Sequence, residues 1–158
     1  MLRNVLTGAA AGAVGTVASN VAIYADMAIR GRPASDTPAQ VAGKLAEDVG
    51  LDLTGGMLND AAKAQQRRSG IGALMGYATG LGVGTAYGLI RPSLGRGSVP
   101  VTGLVIGLVA MAASDVPAVT TGATNPAKWG VSGWIADLVP HLVYGVVTAL
   151  VYEAFSEG

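Results

Sequence analysis

GIGALMGYATGLGVGTAYGLI, running from Gly70 to Ile90, carries glycine at every fourth position: Gly72, Gly76, Gly80, Gly84 and Gly88. In water a helix with this composition is penalised, because each interior glycine costs about 1 kcal/mol relative to alanine. In a bilayer the backbone has no water to bond, so helix is enforced and the glycines become tolerable. A ridge without side chains then allows a second helix to approach backbone to backbone. At a rise of about 1.5 Å per residue this stretch is about 31 Å long, matching a hydrocarbon core of about 30 Å.

The rest of the chain agrees with that reading. Of 158 residues, 51% are hydrophobic and 13% charged, with a mean hydropathy of +0.48. Soluble domains carry roughly 25% charge. Aromatics make up only 5%, so the apolar mass is Ala, Val, Leu and Gly, which suits small-residue packing in a membrane. Besides Gly70–Ile90, three further spans are expected at about 4–25, 99–113 and 131–155. The third is short and is expected to stop at Ser114-Asp115-Val116-Pro117, since a residue before proline leaves the helix. The uncharged run of the first span exceeds the roughly 7–15 residues of a signal-peptide core, so it reads as a retained transmembrane helix. The expected fold class is an all-α, polytopic helical bundle of four transmembrane helices forming a single membrane domain, 1–158.

Residues 26–69 interrupt the spans with six basic and six acidic residues. Thr37 as cap and Pro38 in the first turn open a helix with Val41, Leu45 and Val49 on one face, stopped by Gly50. A second helical stretch is expected over Met57–Arg68. Together they predict an amphipathic segment on the membrane surface; a disordered loop is the alternative. Basic residues near span ends set orientation. Arg30, Arg32, Lys44, Lys63, Arg67, Arg68 and Lys128 fall on one side, against Arg3, Arg91 and Arg96 on the other. The long loop is therefore expected in the cytoplasm, and both termini outside.

Thr7-Gly8, Gly12 and Ser19-Asn20 reappear 95 positions later as Thr102-Gly103, Gly107 and Ser114-Asp115. Tyr87-Gly88 is echoed by Tyr144-Gly145. The halves then read as two repeated helix pairs, related by a pseudo-twofold axis along the membrane normal.

Chemistry is sparse. No cysteine is present, which removes disulfides, thiolate catalysis and zinc–thiolate sites. The single histidine, His141, is too few for a paired-histidine metal site within one chain. The Gly80-Leu-Gly82-Val-Gly84 run lies mid-span, with no preceding strand and no lysine, so it is no nucleotide fingerprint. Neither a catalytic residue nor a cofactor or metal site is assigned. With zero net charge, nucleic acid is not an expected partner.

What remains is a set of polar residues inside apolar spans. Asp137 and His141 are four apart, hence stacked on one helix face, with Tyr144 and Thr148 continuing it and Pro140 loosening the helix between. A carboxylate beside an imidazole can relay protons, and ionisable residues in a membrane are functional candidates. The competing reading starts the helix later, with Asp137 in its first turn and Trp134 and His141 as interfacial anchors. Asp115 either joins this cluster or simply bonds the turn before Pro117. Asn20, on the ridge Gly8, Gly12, Thr16, Asn20, is expected to bind a neighbouring helix.

Trp134-Ile-Ala-Asp137-Leu-Val-Pro140-His141-Leu-Val-Tyr144-Gly145, preceded by Thr124-Asn125-Pro126 and Trp129, resembles a group of small actinobacterial inner-membrane proteins distantly similar to YagU-like proteins. So does Tyr24-Ala-Asp26-Met-Ala-Ile-Arg30-Gly31-Arg32-Pro33. The resemblance implies a four-helix integral protein of the bacterial cytoplasmic membrane, and no reaction. Two functions are expected of such a chain. One is a scaffold packed through Gly8, Gly12, Gly72, Gly76, Gly80, Gly84, Gly88, Gly103 and Gly107, its partners the lipid bilayer and either itself, as a homo-oligomer, or subunits of a larger membrane complex. The other is a small transporter or proton-conducting channel using Asp115, Asp137 and His141.

Overall fold

The computed structural model describes residues 1–54, 60–94 and 97–156, and among these all regular structure is helical. Five α-helices follow one another: α1 (Leu2–Arg30), α2 (Thr37–Asp48), α3 (Ala61–Ile90), α4 (Val99–Thr120) and α5 (Gly130–Ser156). Short 3₁₀ turns, Arg91–Ser93 and Pro126–Lys128, follow α3 and precede α5.

The helix ends have local causes. α1 stops at Gly31, whose φ of 62° is the left-handed conformation that ends helices. Asp36, not Thr37, occupies the cap position of α2, with Pro38 inside the first turn. α3 is opened by Asp60, whose carboxylate accepts the Lys63 backbone N–H at 3.1 Å. It then runs unbroken from Ala61, which absorbs most of the second helical stretch expected before the glycine ridge; its start at Met57 lies outside the described residues.

α4 corrects an expectation. It does not stop at Ser114 but continues through Pro117 to Thr120. Proline is tolerated inside an apolar helix when other groups re-satisfy the freed backbone. Pro117 removes the donor for the Ala113 carbonyl alone, and the turn beyond it is reinforced where Thr120 donates to the Val116 carbonyl at 2.8 Å and Thr121 to the Pro117 carbonyl at 2.7 Å. The result is 22 residues, about 33 Å at the standard rise.

α1, α4 and α5 are each long and apolar enough to cross a membrane. α3 stands apart from that group because the glycines of its apolar stretch add length with almost no hydropathy; Lys63, Gln65, Gln66, Arg67 and Arg68 occupy the turns before that stretch.

The packing is built on missing side chains. α1 lies antiparallel to α3, with Gly8 against Gly84 and Gly88, and Gly12 against Gly80 and Gly84. A methyl group added at Gly84 would fall 2.5 Å from the Gly8 carbonyl oxygen. α4 lies antiparallel to α5, with Gly103 and Gly107 against Gly145, Val146 and the His141 carbonyl. α1 also packs on α5, where Gly15 meets Tyr144 and Thr148. α3 and α5 run parallel and are bridged by side chains: Tyr87 and Tyr152 meet edge to face with centroids 4.9 Å apart. Ala11, Ala149 and Thr148 at the centre are all 0% exposed.

α2 packs across the first half of α3, with Pro38 and Ala39 seated on Gly72, and it also touches α4. Its buried face is Ala39, Val41, Ala42, Gly43 and Ala46. Of the expected face only Val41 is buried, for Leu45 is 38% and Val49 78% exposed. Small residues win because α2 sits close against α3. One member of the glycine ridge also departs from expectation. Successive fourth residues advance about 40° around a helix, so Gly72 faces α2, Gly80, Gly84 and Gly88 face α1, and Gly76 between them faces open space.

Candidate polar site between α4 and α5

Asp137 and His141 fall one turn apart on α5, as their spacing predicts. The His141 Nδ1 lies 2.8 Å from the backbone oxygen of Asp137 and 3.5 Å from its Oδ1. Since a carbonyl oxygen only accepts, Nδ1 carries the hydrogen and donates it, which leaves Nε2 to decide the charge on the ring.

Asp115 reaches the same end of the bundle from α4, beside Asp137 and His141. The continuation of α4 through Pro117 makes this meeting possible, because Asp115 is carried on a helix and not on a departing loop. Both carboxyls are half-buried. The Oδ2 of Asp137 is fully buried and has no hydrogen-bond donor among the described residues. The neighbouring backbone is fixed, for a methyl at Gly107 would lie 2.6 Å from the His141 carbonyl oxygen.

Two residues expected on this face lie elsewhere. Tyr144, one turn beyond His141, is 3% exposed and donates to the Gly80 carbonyl at 2.6 Å, joining the core with α3 and not the polar cluster. Thr148 likewise turns to α1 at Gly15. Asn20 binds a neighbouring helix, its amide donating to the Tyr77 hydroxyl of α3 at 3.4 Å.

A second polar group, not among the candidate residues above, lies at the same end of the bundle. Asp26 is held by Arg30 at 2.5 Å and by Arg32, and Arg30 also donates to Ser132 of α5 at 2.7 Å. An Asp–Arg pair four apart was the available signal. A cavity of about 50 Å³ lies beside it between α1 and α5, lined by Ala22, Asp26, Ile135, Ala136, Val139 and Pro140. Asn125 opens the 3₁₀ turn by accepting from the Ala127 N–H at 3.1 Å, and Trp129 donates to Thr124 at 2.7 Å while stacking near Trp134. At the opposite end, Glu153 accepts from Arg91 at 2.6 Å and from the Tyr87 hydroxyl at 3.2 Å.

Among the described residues no grouping of three or more ligating side chains is arranged to hold a metal ion. No protein-family model, curated protein or solved structure matches the chain.

Proposed function

We propose that the chain is a bacterial inner-membrane protein that crosses the bilayer four times and serves as a close-packed scaffold or accessory subunit of a membrane complex, without chemistry of its own. The observation that carries this reading is how its two surfaces divide. Small residues are spent on contacts inside the chain, while the outward faces of α1, α4 and α5 present Leu6, Val17, Val105, Val109, Ile135 and Leu150. Such a body is rigid within and apolar without, the form suited to lipid or partner helices.

The fourth crossing is the Gly70–Ile90 part of α3. Its support is the antiparallel contact with α1: Gly88 lies at Asn4 and Gly8, near the start of α1, while Gly80 lies at Thr16. A helix paired with a spanning helix over this length traverses the same thickness. The duplicated halves find support in the similar glycine contacts of α1 with α3 and of α4 with α5. The likeness is confined to the pairs, since α1 packs closely on α5 while α3 and α4 touch much less.

Purification from the native membrane in mild detergent, followed by native mass spectrometry, tests the scaffold. Recovery as a homo-oligomer or with stoichiometric partner subunits is expected; a lone monomer at every concentration would count against it.

A second reading, a small transporter or proton-conducting channel, is favoured by the meeting of Asp115, Asp137 and His141. Its test is proton flux in liposomes, which Asp137→Asn and His141→Gln should abolish if the cluster conducts.

A further inference from the structure

We infer that Arg30 and Arg32, where the end of α1 meets the start of α5, form a headgroup site for an anionic phospholipid of the adjoining leaflet. Three observations carry this. The first is the way the two guanidiniums are held. Like charges repel, yet a single carboxylate, Asp26, binds both: Arg30 through Nε at 2.5 Å and Nη2 at 2.7 Å, and Arg32 through Nε. The group keeps a net positive charge. Arg30 Nη1 also donates to the Ser132 hydroxyl of α5 at 2.7 Å, and Arg32 Nη1 to the Pro33 carbonyl at 3.1 Å. A guanidinium has five N–H donors, so each arginine retains at least two with no acceptor among the described residues. Both side chains are partly open, at 31% and 23% exposure. A phosphate, with several charged oxygens, is the ligand that such paired forks fit.

The second observation is depth. Ser132 lies in sequence between Trp129 and Trp134, whose rings meet with centroids 5.0 Å apart. Trp134 is 44% exposed. Tryptophan gathers at the membrane–water interface, so Ser132 and the arginine bound to it stand at headgroup level.

The third is what lies beneath. The cavity of about 50 Å³ reaches from Asp26 inward between α1 and α5, and its other walls are Ala22, Ile135, Ala136, Val139 and Pro140, all apolar. Ile135 and Val139 are 50% and 46% exposed, so this notch opens onto an outward apolar surface. A free phosphate gains nothing from that surface. A phospholipid sets its phosphate on the arginines and the first carbons of a chain in the notch, which commits the site to lipid. Other cations at this end are engaged elsewhere: Arg68 with Glu47, Lys63 with Asp60, and Arg67 with the Leu53 carbonyl. Lys128 is exposed in the α4–α5 connection. The inference rests on the membrane reading and is independent of the scaffold and transporter roles.

The test is native mass spectrometry of the full-length chain in detergent, titrated with an equimolar mixture of phosphatidylglycerol and phosphatidylcholine. A single uncompensated basic charge near anionic lipid corresponds to a preference of about five-fold for phosphatidylglycerol, expected of the wild type. Arg32→Gln leaves Arg30 on Asp26 and Ser132 but cancels the net charge, so the preference should fall to parity. Arg32→Lys returns the charge and should recover most of it. Lys128→Gln, outside the site, should change nothing. Parity in the wild type, a preference surviving in Arg32→Gln, or an equal loss in Lys128→Gln would overturn the site. Parity in Arg32→Lys as well, with lowered thermal stability, would make Arg32 a structural residue and overturn it too. Displacement of bound phosphatidylglycerol by excess inorganic phosphate would overturn the lipid as occupant. Extraction of cell membranes with alkaline carbonate reports separately on insertion, so failure of the membrane reading is distinguishable.

Discussion

The Tyr144 hydroxyl of α5 and the Gly80 carbonyl of α3 are joined by a 2.6 Å hydrogen bond across the centre of the bundle. Eight residues on, Tyr152 approaches the Gly88 carbonyl at 3.4 Å, so the parallel pair α3–α5 is tied twice by the same device. Each tyrosine reaches a backbone that glycine has left uncovered. Tyr144→Phe retains the ring and deletes only the hydroxyl, so the expected loss is about 1 kcal/mol. Tyr144→Ala also opens a cavity and should cost about 3–5 kcal/mol. Unfolding titrations in detergent micelles measure both, and equal losses would show that the ring contributes nothing.

The glycines divide into those that hold contacts and those that do not. Gly84→Ala places a methyl 2.5 Å from the Gly8 carbonyl oxygen, and Gly145→Ala places one 2.1 Å from that of Gly103. The neighbour in each case is backbone, so the helices must separate, at an expected cost of about 1–3 kcal/mol. Gly76→Ala meets nothing within 4 Å and should be neutral or stabilising by up to about 1 kcal/mol through helix propensity. Thermal stability of the three variants, measured side by side, checks the contrast.

These contrasts also show where sequence reading succeeds. Gly80, Gly84 and Gly88 announce a close helix approach because nothing else explains glycine at such spacing in an apolar run. The meeting of Asp137 with His141 follows from a spacing of four. By contrast, whether Gly76 or Tyr144 faces the core depends on where the neighbouring helix axes lie, and spacing along one helix carries no such information. The continuation of α4 through Pro117 was hidden for a similar reason. Local proline rules foretell a stop, while the threonines that satisfy the last carbonyls act only once the helix has formed. Asp115, already a candidate member of the Asp137–His141 cluster, comes beside Asp137 on a continuing helix instead of at a helix end.

Acid should loosen the start of α3. The Asp60 carboxyl is held below its ordinary range, chiefly by the Lys63 backbone N–H and then by the Lys63 side chain. A carboxylate lowered on folding contributes its stability above the unfolded value, near 4, and loses it as pH falls through the folded value. Amide exchange at Ala62, Lys63 and Ala64 should therefore accelerate below about pH 4, with the rest of α3 protected. Asp60→Asn keeps a capping oxygen without the charge, so its exchange pattern should lose the acid step. An acid step that persists in Asp60→Asn would assign it to another group.

The number of crossings is open to a direct measurement, because the chain has no cysteine and single thiols can be placed without removing others. Ser35 precedes α2, Ser98 precedes α4, and Lys128 lies between α4 and α5. All three are exposed. If Gly70–Ile90 crosses the membrane, Ser35→Cys and Lys128→Cys share one side, and Ser98→Cys lies on the other. The excess of basic residues at the ends near Arg30, Arg32, Arg67 and Arg68 assigns the shared side to the cytoplasm. A membrane-impermeant maleimide added to intact cells should therefore label Ser98→Cys, and should label the other two only after permeabilisation. Labelling of Ser35→Cys and Ser98→Cys from the same side would reject the fourth span. It would also require α3 to leave its glycine contacts with α1, since Gly88 cannot lie against Gly8 on a spanning helix without the chain crossing with it.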